Sequence, residues 1–270
     1  TITPTATRTP TPNPGVYADD FENPASGWPV ANTGACNFAY TTSGTNGVYG
    51  IQPLVNGQVC IVGAPAQPQV SGLYEVAAFK NGAGDGSVYG LAFGMNSPSA
   101  RAVTQFYAFW IDPQAQQYAL HKYDGGVWSV LNAAGDWQSS TAIAADDQTN
   151  QLRVRREGDE ILLFVNGRFL ERVEDSSLSS HGYVGLLNWA SYAAPSVAGF
   201  DNMRINQVRT VLAESFDQSG GGWFSGQSGV CQASLTGGEY RTATGPGYLC
   251  FFGAPITGLE NGRFQIDARR

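Results

Sequence analysis

Side chains able to do acid–base, nucleophilic or metal chemistry are thinly spread along this chain of 270 residues. It carries two histidines and 22 acidic against 15 basic residues, for a net charge of −7, and its only lysines are Lys80 and Lys122. The acids cluster at Asp19-Asp20-Phe21-Glu22, Glu157–Glu160 and Glu171–Asp175. The second cluster sits in a Gly-containing turn and the third ends a strand-like run, so both are expected to be solvated. Glu75 lies on a strand-like segment with no second acid on its face. His181 follows Ser179-Ser180, residue types of a nucleophile–base pair, but sequence neighbours do not ordinarily form a triad. Its expected place is a loop. His121 alternates with Tyr123 and should be packed or ligand-facing. No catalytic set is expected, and hence no enzyme.

Other classes fall to composition. A phosphate-binding surface needs clustered basic residues that this chain lacks, so nucleic acid is not an expected partner. No apolar run reaches the ~20 residues of a membrane span. Hydrophobic residues make up 42% and aromatic residues 12%, too apolar for a disordered chain. The exception is residues 1–15, with six Thr and four Pro in the first fourteen positions. That segment reads as an extended extracellular stalk, with Thr3, Thr5, Thr7, Thr9 and Thr11 as O-glycosylation candidates. Thr5–Thr9, free of Pro, is its best candidate for a strand.

The chain repeats itself. Tyr17-Ala18-Asp19-Asp20-Phe21 aligns with Leu212-Ala213-Glu214-Ser215-Phe216 at an offset of 195, which also aligns Gly27-Trp28 with Gly222-Trp223 and Cys36 with Cys231. After small deletions Gly47-Val48-Tyr49 meets Gly238-Glu239-Tyr240, and Cys60-Ile61-Val62-Gly63-Ala64-Pro65 meets Cys250-Phe251-Phe252-Gly253-Ala254-Pro255. A tandem domain is expected: one copy over 16–206 and the N-terminal third of a second over 207–270. Either the natural chain continues or another chain completes the second copy. Two cysteines per copy at matching places predict the disulfides Cys36–Cys60 and Cys231–Cys250, and with them an oxidising, extracellular location.

The elements that must carry these residues read as strands. Segments 71–80, 86–95, 103–112 and 115–123 are strand-like and separated by turn residues. Hairpins are signalled at Asp124-Gly125-Gly126, Glu157–Glu160 and Asn166-Gly167, and 182–189 and 196–205 close the copy. More than ten short strands predict an all-β, two-sheet antiparallel sandwich.

The order Asp19-Asp20-Phe21, Gly27-Trp28, Tyr107–Tyr123, Leu152–Gly167 and Phe200-Asp201-Asn202 resembles the concanavalin A-like lectin/glucanase superfamily. In particular it is similar to bacterial extracellular jelly-roll modules of laminin-G-like and keto-glycoside-hydrolase-like type. The resemblance implies a jelly roll and a glycan-binding module. β-Glucan-cleaving enzymes on that sandwich carry E-x-D-x-x-E, which is absent here. It also implies adjacent first and last strands, where Asp20, Glu22 and Asp201 are candidates for a structural calcium; no other cofactor is expected. Sugar sites on such sandwiches present aromatic faces. Strand 103–112 places Phe106 and Trp110 on one face and Tyr107 and Phe109 on the other, so one set is expected to be exposed. Candidate glycan-binding residues are Tyr107, Trp110, Tyr118, Tyr123, Trp128, Trp137, Trp189 and Tyr192. Trp28 and Trp223, repeated after Gly, are expected to be structural.

Two functions remain in view. One is a non-catalytic structural or adhesive subunit of a bacterial cell-surface assembly or fibre, with copies of itself or other surface proteins as partners and docking by strand addition. The other is a secreted lectin-like module. A glycoside hydrolase-like enzyme is remote.

Overall fold

A computed structural model describes residues 17–81, 88–190, 197–208, 223–236, 239–244 and 250. The Thr candidates at 3, 5, 7, 9 and 11, the proposed strand Thr5–Thr9, Tyr192 and most of 207–270 lie outside them. The chain divides into two units, Thr1–Val208 and Arg209–Arg270.

In the first unit β1 (Tyr17–Asp19), β2 (Ala31–Asn32), β3 (Cys36–Ser43), β4 (Asn46–Pro53) and β5 (Val59–Gly63) lead into β6 (Gly72–Asn81), β7 (Val88–Met95) and β8 (Gln105–Asp112). There follow β9 (Gln117–Asp124), β10 (Val127–Val130), β11 (Gln138–Ser139), β12 (Asn150–Glu157) and β13 (Glu160–Val165). β14 (Arg168–Glu174), β15 (Tyr183–Trp189) and β16 (Val197–Gln207) complete it. One sheet has nine strands, ordered β14-β13-β12-β6-β16-β4-β3-β2, with β1 on β16; the other has seven, ordered β10-β9-β8-β7-β15-β5, with β11 on β9. All pairings are antiparallel, and the first strand lies beside the last, Asp19 opposite Met203.

Alternation builds the layer between the sheets. Tyr74, Val76, Leu152, Val154, Ile161 and Leu163 from the first sheet pack with Leu91, Phe93, Tyr107, Phe109 and Leu120 from the second. Turn chemistry sets the hairpins: Gly125 and Gly126 (φ 57° and 102°), and Asn166 and Gly167 (φ 50° and 76°), supply the left-handed backbone that two-residue loops require.

Trp28 is buried, as expected of a structural residue. Its indole N–H donates to the Tyr17 hydroxyl at 2.8 Å and to Asp19 at 3.0 Å, so its one polar atom is satisfied. The disulfide Cys36–Cys60 joins β3 of one sheet to β5 of the other.

The second unit, described by itself, has a three-stranded sheet of β17 (Gly226–Ser228), β18 (Cys231–Thr236) and β19 (Glu239–Thr244), and the disulfide Cys231–Cys250. Trp223 packs on Tyr240 at 5.0 Å between ring centroids, and the Tyr240 hydroxyl donates to the Phe224 carbonyl. In the first unit Trp28 packs on Tyr49 at 5.1 Å, and the Tyr49 hydroxyl donates to the Pro29 carbonyl.

Candidate functional site: the aromatic outer face of the seven-stranded sheet

The seven-stranded sheet is apolar on both faces. The residues of β8 pointing away from the inter-sheet core, Phe106, Ala108 and Trp110, belong to a second cluster with Ile61, Val88, Ala92, Ala119 and Leu187. Register brings the rings together: Phe106 stands opposite Tyr123, and Tyr123 opposite Trp128. Ring centroids are 5.2 Å apart for Phe106–Tyr123, 4.9 Å for Tyr123–Trp128, 6.3 Å for Trp110–Trp128 and 6.2 Å for Trp110–Trp189. Between them the floor is made of small residues. Gly90, opposite Trp110, has no room for a side chain, because a Cβ would lie 1.9 Å from the Phe109 carbonyl oxygen.

Exposure grades across the surface. Trp128 is 42% exposed, on the edge strand β10. Tyr123, Trp137 and Trp189 are half-buried against the cluster. His121 stands among the rings, with Trp128 at 6.0 Å and Trp137 at 6.2 Å, both edge-on. Its Nε2 is 2.6 Å from Asp136 Oδ1, a bond that ties the loop carrying Trp137 to β9.

Of the eight expected glycan-binding residues, the structure unites Tyr123, Trp128, Trp137 and Trp189 on this face. Three others need correction. Tyr107 (0% exposed) and Tyr118 (7%) face the inter-sheet core, and Trp110 (2%) is a buried member of the outer cluster, so none presents a ring to solvent. The expectation that one face of β8 is exposed fails because the strand is central and its outer face is roofed by neighbouring aromatics. Burial, with a hydrogen bond to Asp175, pushes the Tyr107 phenol up to about 12. Burial, followed by the Glu171 carboxylate, does the same at Tyr118.

The remaining polar candidates are dispersed. Glu75 is on the nine-stranded sheet, ion-paired to Arg153 at 2.6 Å. The His181 carbonyl accepts from Arg156, and its ring Nδ1 is buried without a partner, so neither Ser179 nor Ser180 is paired with it as nucleophile and base. The acids of the calcium expectation bond to backbone N–H groups. Glu22 accepts from the Gly47 N–H and Asp201 from the Asn202 N–H, and among the described residues no three His, Cys, Asp or Glu side chains gather as metal ligands. The three acids are close enough to repel: burial, together with Glu22 and Asp20, raises the Asp201 carboxyl above its ordinary value.

Sequence reasoning missed Asp136, whose loop position gave no signal, and the His121–Asp136 bond. It also passed over Arg156, which is fully buried, donates to the Leu178 and His181 carbonyls and lies over the Tyr107 ring at 5.2 Å. Its inner-face position follows the alternation of β12, in which Leu152, Val154 and Arg156 are all buried.

No known family model matches this chain, and neither does any curated protein sequence. Solved structures do. A Bacillus subtilis protein of unknown function with a galectin-like fold superposes with a TM-score of 0.50, 9% identity, and coverage of 71% of this chain and 94% of that one. The shared fold is an all-β jelly-roll sandwich of two antiparallel sheets. A Bacteroides ovatus mixed-linkage glucan GH16 protein in complex with product gives a TM-score of 0.50 at 9% identity, over 70% of this chain and 99% of that one. The carbohydrate-binding module CBM66 from Bacillus subtilis gives 0.49 at 16% identity, over 64% and 96%. At such identities the likeness extends to the fold alone.

Proposed function

We propose that the first unit is a non-catalytic glycan-binding domain whose binding surface is the outer face of the seven-stranded sheet. The observation that carries this reading is Trp128, 42% exposed yet continuous through ring contacts with Tyr123, Phe106 and Trp110. A rigid, partly wet aromatic surface with polar groups at its margin stacks on the C–H faces of a pyranose, while His121, Asp136 and the Tyr123 hydroxyl meet its hydroxyls. The net charge of −7 and the half-exposed Asp136 disfavour acidic glycans, so neutral chains are the expected ligands. Solved proteins sharing the fold include one described as galectin-like and a glucan GH16 protein holding product, which supports the same reading.

Catalysis is not part of the proposal. Glycoside hydrolysis ordinarily uses two carboxylates flanking one bond. On this face Asp136 is held by His121, while Glu75 belongs to the other sheet. Two disulfides suit a protein that works outside the reducing cytosol. A second reading, assembly with copies of itself or with other surface proteins, is favoured by one observation: the edge strand β10 exposes Val127 (63%) and Val130 (45%) with no charge or proline to protect it.

Affinity electrophoresis against mixed-linkage β-glucan, xylan, fructan and galactan tests the main reading. At least one neutral polysaccharide should retard the protein, and Trp128→Ala should weaken retardation about tenfold, the equivalent of roughly 1.4 kcal/mol. Mobility unchanged by every neutral polysaccharide, or equal for both proteins, would overturn it.

A further inference from the structure

The opposite outer face, that of the nine-stranded sheet, is mostly a charged surface. Arg153 pairs with Glu75, and Arg172 with Glu160 and Glu174. Around β3, β4 and the start of β16 this changes. Ala39 stands opposite Gly50, and Gly50 opposite Gly199, so a row of three small residues crosses three strands. The next row places Asn37 opposite Gln52, and Thr41 lies on the other side. The result is a depression of about 350 Å³ between Asn37, Gln52 and Thr41, with Ala39, Gly50 and Val197 as its apolar lining.

Three features mark this depression as shaped for a ligand. Its floor leaves no free room for a side chain at Gly50, where a Cβ would lie 3.2 Å from both the Thr41 methyl carbon and Val197 Cγ1. The amides of Asn37 and Gln52 are half-buried, yet neither makes a side-chain hydrogen bond to another described residue. No charged group lines it. Amides and hydroxyls both donate and accept, as the hydroxyls of a polyol do, and the alanine, glycine and valine lining suits C–H groups. The volume is near the lower end of small-molecule sites, roughly 300–1,000 Å³.

We infer that this depression is a second binding site, taking a single uncharged sugar ring through Asn37, Gln52 and Thr41. It lies on the far side of the sandwich from Trp128 and shares no residue with the aromatic face. One domain then holds two glycan chains, one on each outer face.

Titration of ¹⁵N-labelled full-length protein with methyl glucoside, methyl galactoside and methyl xyloside, with glucuronate as the charged control, tests this. Saturable shifts are expected at the side-chain amide signals of Asn37 and Gln52 and at the Gly50 N–H, for at least one neutral glycoside and not for glucuronate. They should persist in Trp128→Ala, disappear in Gly50→Ala and weaken about tenfold in Gln52→Ala. The glutamine variant alters only a surface side chain, so it remains informative if Gly50→Ala folds poorly. Absence of shifts at these amides with all three neutral glycosides would overturn the site. So would shifts that survive Gln52→Ala at full strength.

Discussion

At the scale of single residues, Trp128 and Asp201 are the informative positions, one for binding and one for stability. Trp128 is exposed because it lies on an edge strand, and it is fixed because Phe106, Trp110 and Tyr123 surround it. Such a ring meets a ligand at little entropic cost. Asp201 is held against its preference. Its carboxyl is raised by burial and by Glu22 and Asp20, so the folded protein binds a proton there more readily than the unfolded chain. That contribution to stability is full below the ordinary carboxylate pKa of about 3.9 and is lost as pH rises through the raised value. Asp201→Asn, which keeps an acceptor for the Asn202 N–H, should therefore stabilise the protein at pH 7 by about 0.5 kcal/mol, a figure discounted for solvent screening. The gap should close below about pH 4. Urea melts at the two pH values check this, and a variant less stable at pH 7 in the presence of calcium would instead revive a metal role for the three acids.

At the scale of elements, the Cys36–Cys60 disulfide and the β9–β10 hairpin do different work. The disulfide fastens one sheet to the other across a sequence separation of 24 residues. In the chain-entropy account, a loop of that size contributes about 3.5 kcal/mol. Replacing both cysteines by alanine should lower the melting temperature by about 10 °C, read by calorimetry, while leaving the strands in place. A change under a degree or two would mean that the sheets are held by packing alone. The hairpins were legible because their turns are chemical: Asp124-Gly125-Gly126 and Asn166-Gly167 mark them within a residue of where they occur. β6 to β9 were legible as apolar and aromatic runs bounded by turn residues, β7 and β8 being buried along almost their whole length. β3 and β4 were less so, since CNFAYTTS and NGVYGIQP mix Thr, Asn and Gly with their apolar residues. The site was half legible. Alternation put Phe106 and Trp110 on one face and Tyr107 and Phe109 on the other, but one strand does not reveal whether its outer face is roofed. That depends on Tyr123, Trp128 and Trp189, brought by β9, β10 and β15 through register that no local pattern encodes.

At the scale of the whole molecule, the two units share more than cysteine spacing. In each, a Trp packs on a Tyr at about 5 Å, and that Tyr donates to the carbonyl of the residue after the Trp. The exposed β10 edge bears on assembly: if chains associate through it, sedimentation velocity should show a concentration-dependent increase in size that Val127→Lys abolishes. A monomer at every concentration would leave β10 to the glycan surface alone. The central claim, that glycans bind the aromatic face, is tested most directly by the indole N–H signals of the six tryptophans in ¹⁵N-labelled protein. They would be assigned by single Trp→Phe variants and followed during titration with oligosaccharides of the best-retained polysaccharide. The account predicts saturable shifts at Trp128, Trp137 and Trp189 and none at Trp28, whose N–H is locked to Tyr17 and Asp19. Shifts that leave Trp128 unmoved would contradict it.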